Sequence, residues 1–103
     1  MSDNTRISES GARCLRVMKA LRGNSLQGLS NGELAKGLDL SPSAVNRSLG
    51  TLIAEGFATK LDSGRFALSV SALQLAQAHA EEMARASARI NELNQRVAAG
   101  SHH

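Results

Sequence analysis

Aromatic side chains are scarce in this sequence. Phe57 and Phe66 are the two aromatic residues among 103, and Trp and Tyr are absent. Strands favour aromatic and β-branched residues, whereas Ala, Leu, Glu and Arg favour helices, so the composition argues against an all-β sandwich or barrel. It also argues against a surface that stacks the bases of single-stranded nucleic acid on aromatic rings.

Cysteine and histidine are equally scarce. The single cysteine, Cys14, excludes an internal disulfide and a thiolate-rich zinc site. The run 100–103 (Gly-Ser-His-His) resembles the start of an affinity tag after a short linker, and we treat it as a tag remnant. This leaves His79, which alone makes neither a metal site nor a catalytic relay. We therefore expect no metal, no cofactor and no catalytic residue.

Long apolar runs and targeting signals are also missing. No stretch approaches 18 apolar residues, and no signal peptide is visible, so we expect a cytoplasmic protein without a membrane partner. Paired carboxylates, a nucleophile–base set and a phosphate-binding glycine loop are not placed to work, which argues against an enzyme.

The positive charge is concentrated in the middle of the chain. The net charge is +3, and residues 12–69 carry eight basic and four acidic side chains, whereas residues 70–99 carry three of each. A basic block followed by a neutral segment is typical of a polyanion-binding unit with an oligomerisation element. The charge distribution by itself is equally consistent with a mildly basic surface that has no partner.

The first predicted helix runs from Glu9 to Gly23, after a polar segment at 1–8 that we expect to be a disordered arm. Its apolar residues share one face: Cys14, Val17, Met18 and Leu21, with Leu15 widening it. Its basic residues occupy the other half: Arg13, Arg16, Lys19 and Arg22. The helix is therefore amphipathic, and Cys14 belongs to the core.

Two further helices are predicted with a tight turn between them. Ser30 and Glu33 form a capping box at the start of one helix, which ends near Asp39. Ser41 is a good N-cap for the next helix, Pro42 suits its first position, and the helix runs to about Glu55. Two helices joined in this way indicate a helix-turn-helix.

A basic β-hairpin is predicted directly after these helices. Strands at 57–61 and 65–69 flank Asp62-Ser63-Gly64, which is a turn signal, and Leu29 is expected to pair with the sheet. We expect the apolar face to carry Phe57, Thr59, Leu61, Phe66 and Leu68. Lys60 and Arg65 are expected on the opposite face. Residues 9–70 thus form a winged helix-turn-helix: a three-helix core plus a hairpin wing, in a mostly helical α+β fold.

Residues 71–99 are predicted to form one long helix, N-capped by Ser71, that serves for dimerisation. A heptad seam is built from Leu73, Ala76, Ala80, Met83, Ser87, Ile90, Asn94 and Val97. A helix over 71–98 is about 42 Å long, whereas a 60-residue domain has a radius of gyration near 10 Å. The far half therefore needs a partner, which we expect to be a second copy, with the apolar part of the first helix as a further candidate contact.

Residues 12–75 resemble the winged-helix DNA-binding domain of IclR-type (isocitrate-lyase-regulator) bacterial transcription factors. The stretches that carry the resemblance are CLRVMKAL (14–21), LSNGELA (29–35), LDLSPSAVNRSL (38–49), TLIAEGF (51–57) and GRFAL (64–68). Members usually continue into a large effector-binding domain, which this sequence lacks, so we expect no small-molecule effector. A stand-alone regulator of a phage or mobile element, or a domain cut from a longer protein, fits this size.

The leading hypothesis is a homodimeric, sequence-specific transcription regulator that binds double-stranded DNA. The recognition helix would contribute Ser41, Ser43, Ala44, Asn46, Arg47 and Thr51. The wing would contribute Lys60, Ser63 and Arg65. Arg47 suits guanine and Asn46 adenine, while Ser41 and Thr51 suit phosphate. The alternative is a protein-interaction module that pairs with another regulator through its long helix.

Overall fold

The computed structural model describes residues 6–101, so the predicted arm at 1–8 and the predicted tag remnant at 100–103 fall partly outside the described residues. The elements are α1 (Glu9–Ala20), α2 (Asn31–Leu38), α3 (Pro42–Ala54), β1 (Ala58–Lys60), β2 (Phe66–Leu68) and α4 (Val70–Gly100). The strands form an antiparallel hairpin. The predicted fold class, a mostly helical winged helix-turn-helix with a long C-terminal helix, is confirmed.

Side-chain caps fix where the helices begin and end. The predicted capping box is present, with Ser30 Oγ accepting from the Glu33 amide at 3.1 Å and Glu33 Oε1 accepting from the Ser30 amide at 2.9 Å. Asp39 ends α2 in the left-handed region at φ 55°, and Ser41 caps α3. Ser8 caps α1 through the Gly11 amide, so a residue we assigned to the arm belongs to the folded part.

The core lies where α1, α2, α3 and the wing meet. Its fully buried large side chains are Leu21, Leu34, Leu49, Val17 and Val45. Five partly buried side chains pack against this cluster: Cys14, Met18, Leu29, Phe57 and Phe66. Leu15 differs from the prediction, because it is 55% exposed beside the core face of α1.

The α1–α2 connection is joined to the wing by a bridge, as predicted for Leu29. Its backbone exchanges two hydrogen bonds of 2.8 Å with Phe66. Gly28 precedes it at φ +73°, and a Cβ there would lie 2.6 Å from the Phe66 carbonyl oxygen. Position 28 therefore requires glycine for both its backbone conformation and the close approach of the wing.

The predicted faces of the wing are wrong by one residue. The strand pairs are Ala58–Leu68, Thr59–Ala67 and Lys60–Phe66, so Lys60 shares a face with Phe66. The turn has three residues and closes with Gly64 at φ +89°, which pairs Leu61 with Arg65. Because side chains alternate along a strand and paired residues share a face, Lys60 lies on the face of Phe66, and Arg65 lies on the face of Leu61.

Ser71 is also not the residue that caps α4. The helix begins at Val70, and the hydroxyl oxygen of Ser69 accepts from the Ala72 amide at 3.0 Å. The Ser69 amide is at the same time bonded to the Phe57 carbonyl at 3.1 Å. Ser69 therefore closes the wing and starts the helix.

The chain divides into two compact units after Ala72. The first contains the helix-turn-helix and the wing. The second consists of the remainder of α4, where every residue from 73 to 101 is exposed. None of the described helices is long and apolar enough to cross a lipid bilayer.

Candidate DNA-binding surface

One side of α3 is polar and exposed. Val45, Leu49 and Leu52 direct the other side into the core, and this leaves Ser43, Asn46, Arg47, Gly50 and Thr51 outward. At 100° per residue, positions 43, 46, 47 and 50 fall within about 100° of one another. The structure therefore brings three predicted contact residues, Ser43, Asn46 and Arg47, to one surface, with Thr51 at its edge, about 40° beyond Arg47.

A row of hydrogen bonds runs along this surface. Arg47 Nη1 donates to Ser43 Oγ at 3.1 Å, and the Thr51 hydroxyl donates to the Arg47 carbonyl at 3.0 Å. The first bond uses one of the five N–H donors of the guanidinium. Arg47 is therefore held along α3 while it retains donors for a bidentate contact.

Ala44 lies on the flank of α3, beside Arg47 and Thr51, where α3 meets α1. It is 8% exposed and lines a groove of about 500 Å³ with Cys14, Leu15 and Ser48. Its methyl group is therefore unavailable to a base edge, and we remove it from the predicted contact set. Contact with α1 explains its burial, because Ala44 is one turn before the buried Ser48, and both line the groove beside Cys14 and Leu15.

The first residue of α2 is bonded to the recognition helix. Asn31 Nδ2 donates to Asn46 Oδ1 at 2.9 Å and to the Pro42 carbonyl at 3.2 Å. Asn31 is absent from the sequence-based set of contact residues, because no local pattern links it to a residue 15 positions later. An asparagine at the start of a helix-turn-helix does not by itself predict this contact.

The N-terminus of α3 is open to solvent. Ser41 and Pro42 are exposed, and Ser41 Oγ accepts from the Ala44 amide at 3.1 Å. The hydroxyl proton of Ser41 and the first amides of α3 still suit a phosphate oxygen. The phosphate contact of Ser41 stays a prediction.

Arg65 is bonded within the protein and does not extend freely from the wing. Its Nε donates to the Gln27 carbonyl at 3.1 Å, and its Nη2 donates to the Gly28 carbonyl at 3.1 Å and to Glu33 Oε1 at 2.7 Å. These bonds connect the wing to the α1–α2 connection and to the start of α2. The sequence-based assignment of Arg65 to a phosphate contact overlooked these partners.

Glu33 serves two partners at once. The Ser30 amide, and then the positive charge of Arg65, hold the pKa of the Glu33 carboxyl below its ordinary value. A lowered pKa means that folding favours the carboxylate form of Glu33. The contribution of this carboxylate to folding stability is therefore present at neutral pH and is lost as the pH falls through that pKa.

The remaining wing residues are more accessible. Lys60 is exposed, with its Nζ 5.8 Å from the centroid of the Phe66 ring. Ser63 is exposed at the turn, where its hydroxyl oxygen accepts from the Arg65 amide at 3.3 Å. Of the two predicted wing cations, Lys60 is thus the exposed one.

We expect Lys60→Ala and Arg65→Ala to separate electrostatic from structural roles. Lys60→Ala should leave the unfolding free energy unchanged and reduce the slope of log K against log salt by about one unit, because it removes one phosphate contact. Arg65→Ala should lower the unfolding free energy by about 1 kcal/mol through loss of its carbonyl bonds. Chemical denaturation measures the unfolding free energy, and DNA titrations at several salt concentrations measure the slope. If the two variants changed the unfolding free energy equally and the slope equally, the separate roles of Lys60 and Arg65 would be contradicted.

The basic back of α1 forms a second positive area. Arg16, Lys19 and Arg22 are exposed and surround a shallow depression with Leu38, whereas Arg13 lies 3.8 Å from Glu9. Burial raises the pKa of the Cys14 thiol, which donates to the Ser48 carbonyl. Within residues 6–101, no three His, Cys, Asp or Glu side chains gather into a metal-binding group.

The predicted seam of α4 is solvent-exposed along its length. Met83, Ile90 and Val97 are exposed by 47%, 60% and 65%, and Leu73 is exposed as well. The smaller members of the seam are exposed too: Ala76, Ala80, Ser87 and Asn94. Leu93 lies beside Ile90 in a shallow apolar groove on the same helix.

A helix-turn-helix with a polar outer face on its second helix, followed by a hairpin wing, defines a winged helix-turn-helix DNA-binding domain. The sequence profile of the IclR helix-turn-helix domain matches residues 11–62. The chain belongs to this family, whose members are DNA-binding domains of transcription regulators and not enzymes.

Two crystal structures show how far the likeness extends. HmgR of Pseudomonas aeruginosa is 30% identical, with a TM-score of 0.64, over 74% of this chain and 32% of its own. An IclR family transcriptional regulator from Brucella abortus is 26% identical, with a TM-score of 0.61, over 76% of this chain and 30% of its own. The chain thus spans about a third of the length of these relatives. No curated protein sequence matches it significantly.

Proposed function

We propose that the chain is a sequence-specific regulator that binds double-stranded DNA as a homodimer. The observation that carries this proposal is the exposed polar face of α3 at Ser43, Asn46 and Arg47, within a domain of the IclR helix-turn-helix family. An α-helix fits the major groove of B-DNA, where base edges offer distinct donor and acceptor patterns.

The roles within this face follow from side-chain chemistry. Arg47 reads guanine through two parallel N–H donors, and Asn46 reads adenine through its amide. Ser43 supports Arg47 through their 3.1 Å hydrogen bond. Ser41, the first amides of α3, Thr51, Lys60 and Ser63 meet phosphate oxygens and set the orientation of the domain.

The seam of α4 supports the homodimer. Large apolar side chains recur at Met83, Ile90 and Val97 with a seven-residue period, and all three are exposed. Such a stripe on a helix fits a second helix of the same period, and a two-fold dimer brings identical stripes together. The small side chains of the alternate positions, Ala80 and Ser87, permit a close approach of the two backbones.

Selection of bound sequences from a random DNA pool tests this function. We expect a two-fold symmetric site whose half-sites lie roughly 34 Å apart or a multiple of that distance, as for dimeric helix-turn-helix proteins. We also expect the affinity for unrelated DNA to fall steeply with salt. Recovery of no preferred sequence, together with salt-independent binding, would refute the proposal.

Gly50 offers a test of how closely α3 approaches DNA. A Cβ at this position would meet no protein atom within 4 Å, and the same holds for Gly37 in α2. Both Gly50→Ala and Gly37→Ala should raise the unfolding free energy by about 0.5–1 kcal/mol, because alanine favours helix. Only Gly50→Ala should weaken DNA binding, because position 50 lies amid Ser43, Asn46 and Arg47.

Denaturation curves and DNA titrations of the two variants make the comparison, with Gly37→Ala as the matched control. Equal DNA affinity of the two variants would place the centre of the α3 face away from the DNA.

A further inference from the structure

We propose that Asn31 is a positioning residue for DNA sequence recognition. It fixes the side-chain amide of Asn46 in one orientation and so determines which base Asn46 binds. This proposal rests on the DNA-binding function proposed above and assigns its specificity to a residue outside the recognition helix. The observation is the pair of bonds from Asn31 Nδ2, at 2.9 Å to Asn46 Oδ1 and at 3.2 Å to the Pro42 carbonyl.

The orientation of both amides follows from the Pro42 carbonyl. A carbonyl oxygen only accepts hydrogen bonds, so the Asn31 atom that faces it must be the NH₂ group. The same NH₂ group faces Asn46, and the atom of Asn46 that meets it must therefore be the oxygen. A chain of two hydrogen bonds thus excludes the alternative flip of the Asn46 amide.

A fixed amide presents its donor and its acceptor in one order. Asn46 Oδ1 has a second lone pair, and Asn46 Nδ2 has two hydrogens, so the bond from Asn31 leaves one acceptor site and the donor group for a base. Adenine offers a donor at N6 beside an acceptor at N7, and a correctly oriented Asn amide satisfies both. A freely turning amide would also present the reversed order, which weakens the preference.

Asn31 is suited to this role by its place in the fold. It is the first residue of α2 and lies within the capping box, between Ser30 and Glu33, which holds its backbone. Asn31 is half-buried as a residue, whereas Asn46 is exposed on the outer face of α3. A residue anchored at the capped start of α2 thus supports an exposed amide, as expected when a rigid element positions a group for recognition.

The experiment compares base preference in the intact protein and its variants, measured by competition among DNA sites that differ at single base pairs. Asn46→Ala should lose about 5- to 150-fold discrimination at one base pair. Asn31→Ala should lose about fivefold or more at the same base pair and leave the salt dependence unchanged. In the Asn46→Ala background, Asn31→Ala should cause no further loss, because the two residues act as one unit.

Asn31→Asp is a second variant that keeps the size of the side chain. A carboxylate suits the first turn of a helix but cannot donate to Asn46 Oδ1, so we expect it to lose at least as much discrimination as Asn31→Ala. Asn24→Ala is the matched control, because Asn24 Nδ2 also donates to a backbone carbonyl, that of Arg22, at 3.1 Å. It should leave base preference unchanged.

A measurement without DNA separates this proposal from the function on which it rests. The side-chain amide signal of Asn46 in the nuclear magnetic resonance spectrum should shift in Asn31→Ala and stay unchanged in Asn24→Ala. An unshifted signal overturns the inference. The inference is also overturned if Asn31→Ala keeps the full base preference at a base pair where Asn46→Ala has lost it. In that case the proposed DNA-binding function stands. A wild-type chain without any base preference overturns both.

Discussion

A chain that carries Met83→Asp together with Ile90→Asp is expected to be a folded monomer that has lost most of its affinity for a two-fold symmetric DNA site. Both residues lie on the exposed seam of α4, within the second compact unit of the chain. The substitutions touch no residue of the core formed by α1, α2, α3 and the wing. Folding of the DNA-binding domain should therefore be preserved.

The expected effect is large because apolar burial dominates such helix pairs. Burying each of these side chains against a partner is worth roughly 1.5–3 kcal/mol before the cost of ordering is subtracted. Asp removes that contribution and places carboxylates in an interface without a counter-charge. Since about 1.4 kcal/mol corresponds to a factor of ten, the dimer dissociation constant should rise at least about 100-fold.

Ala78→Asp with Ala88→Asp is the matched control. These residues are exposed on the sides of α4 away from the proposed seam, and the change in net charge is the same. Sedimentation equilibrium and titration of full and half DNA sites distinguish the variants. A wild-type protein that stays monomeric at high micromolar concentration would refute the homodimer, and the helix of another regulator would become the partner to seek.

Arg47→Ala is expected to lower the affinity for the preferred DNA site and to relax the preference at one base pair. A bidentate arginine–guanine contact gives about 1–3 kcal/mol of discrimination. The guanidinium of Arg47 is held at the α3 surface by Ser43, so much of its freedom is already restricted before DNA is bound. Competition binding with single-base variants of the selected site measures this loss.

Two further substitutions define the role of Arg47. Arg47→Lys retains the charge but not the planar pair of donors, so it should restore affinity for all sequences more than it restores the base preference. Arg85→Ala is the control for the loss of one exposed arginine, because Arg85 belongs to α4 and not to the α3 face. Equal losses on all sequences in Arg47→Ala would identify a phosphate contact instead.

Local sequence determined the helices, the capped starts of α2 and α3, and the helix-turn-helix. Ser30 and Glu33 are three residues apart, and so are the Ser41 hydroxyl and the Ala44 amide, so these caps depend on the chain within one turn. The conformation of Asp39 and the position of Pro42 are likewise properties of single residues at helix ends. Such features are readable without knowledge of the rest of the fold.

Tertiary structure decided which polar side chains remain available. Arg65 looks like a free wing cation in the sequence, but it is bonded to Glu33, which lies 32 residues away. Asn31 has no recognisable role until the turn brings it to Asn46. Ala44 looks like part of the outer face until the rotation of α3 on the core places it inward.

The wing shows the same division within one element. Its turn residues and both strands were predictable, because Gly64 and the alternating apolar side chains are local signals. Its faces were predicted wrongly although its three-residue turn was predicted correctly, because large apolar side chains were grouped on one face, whereas the pairing of Leu61 with Arg65 places Lys60 opposite Phe66. The seven-residue period of α4 is likewise a property of the sequence. The contacts of Arg65 with Glu33 and of Asn31 with Asn46 join segments that are distant in the sequence, and local composition does not encode them.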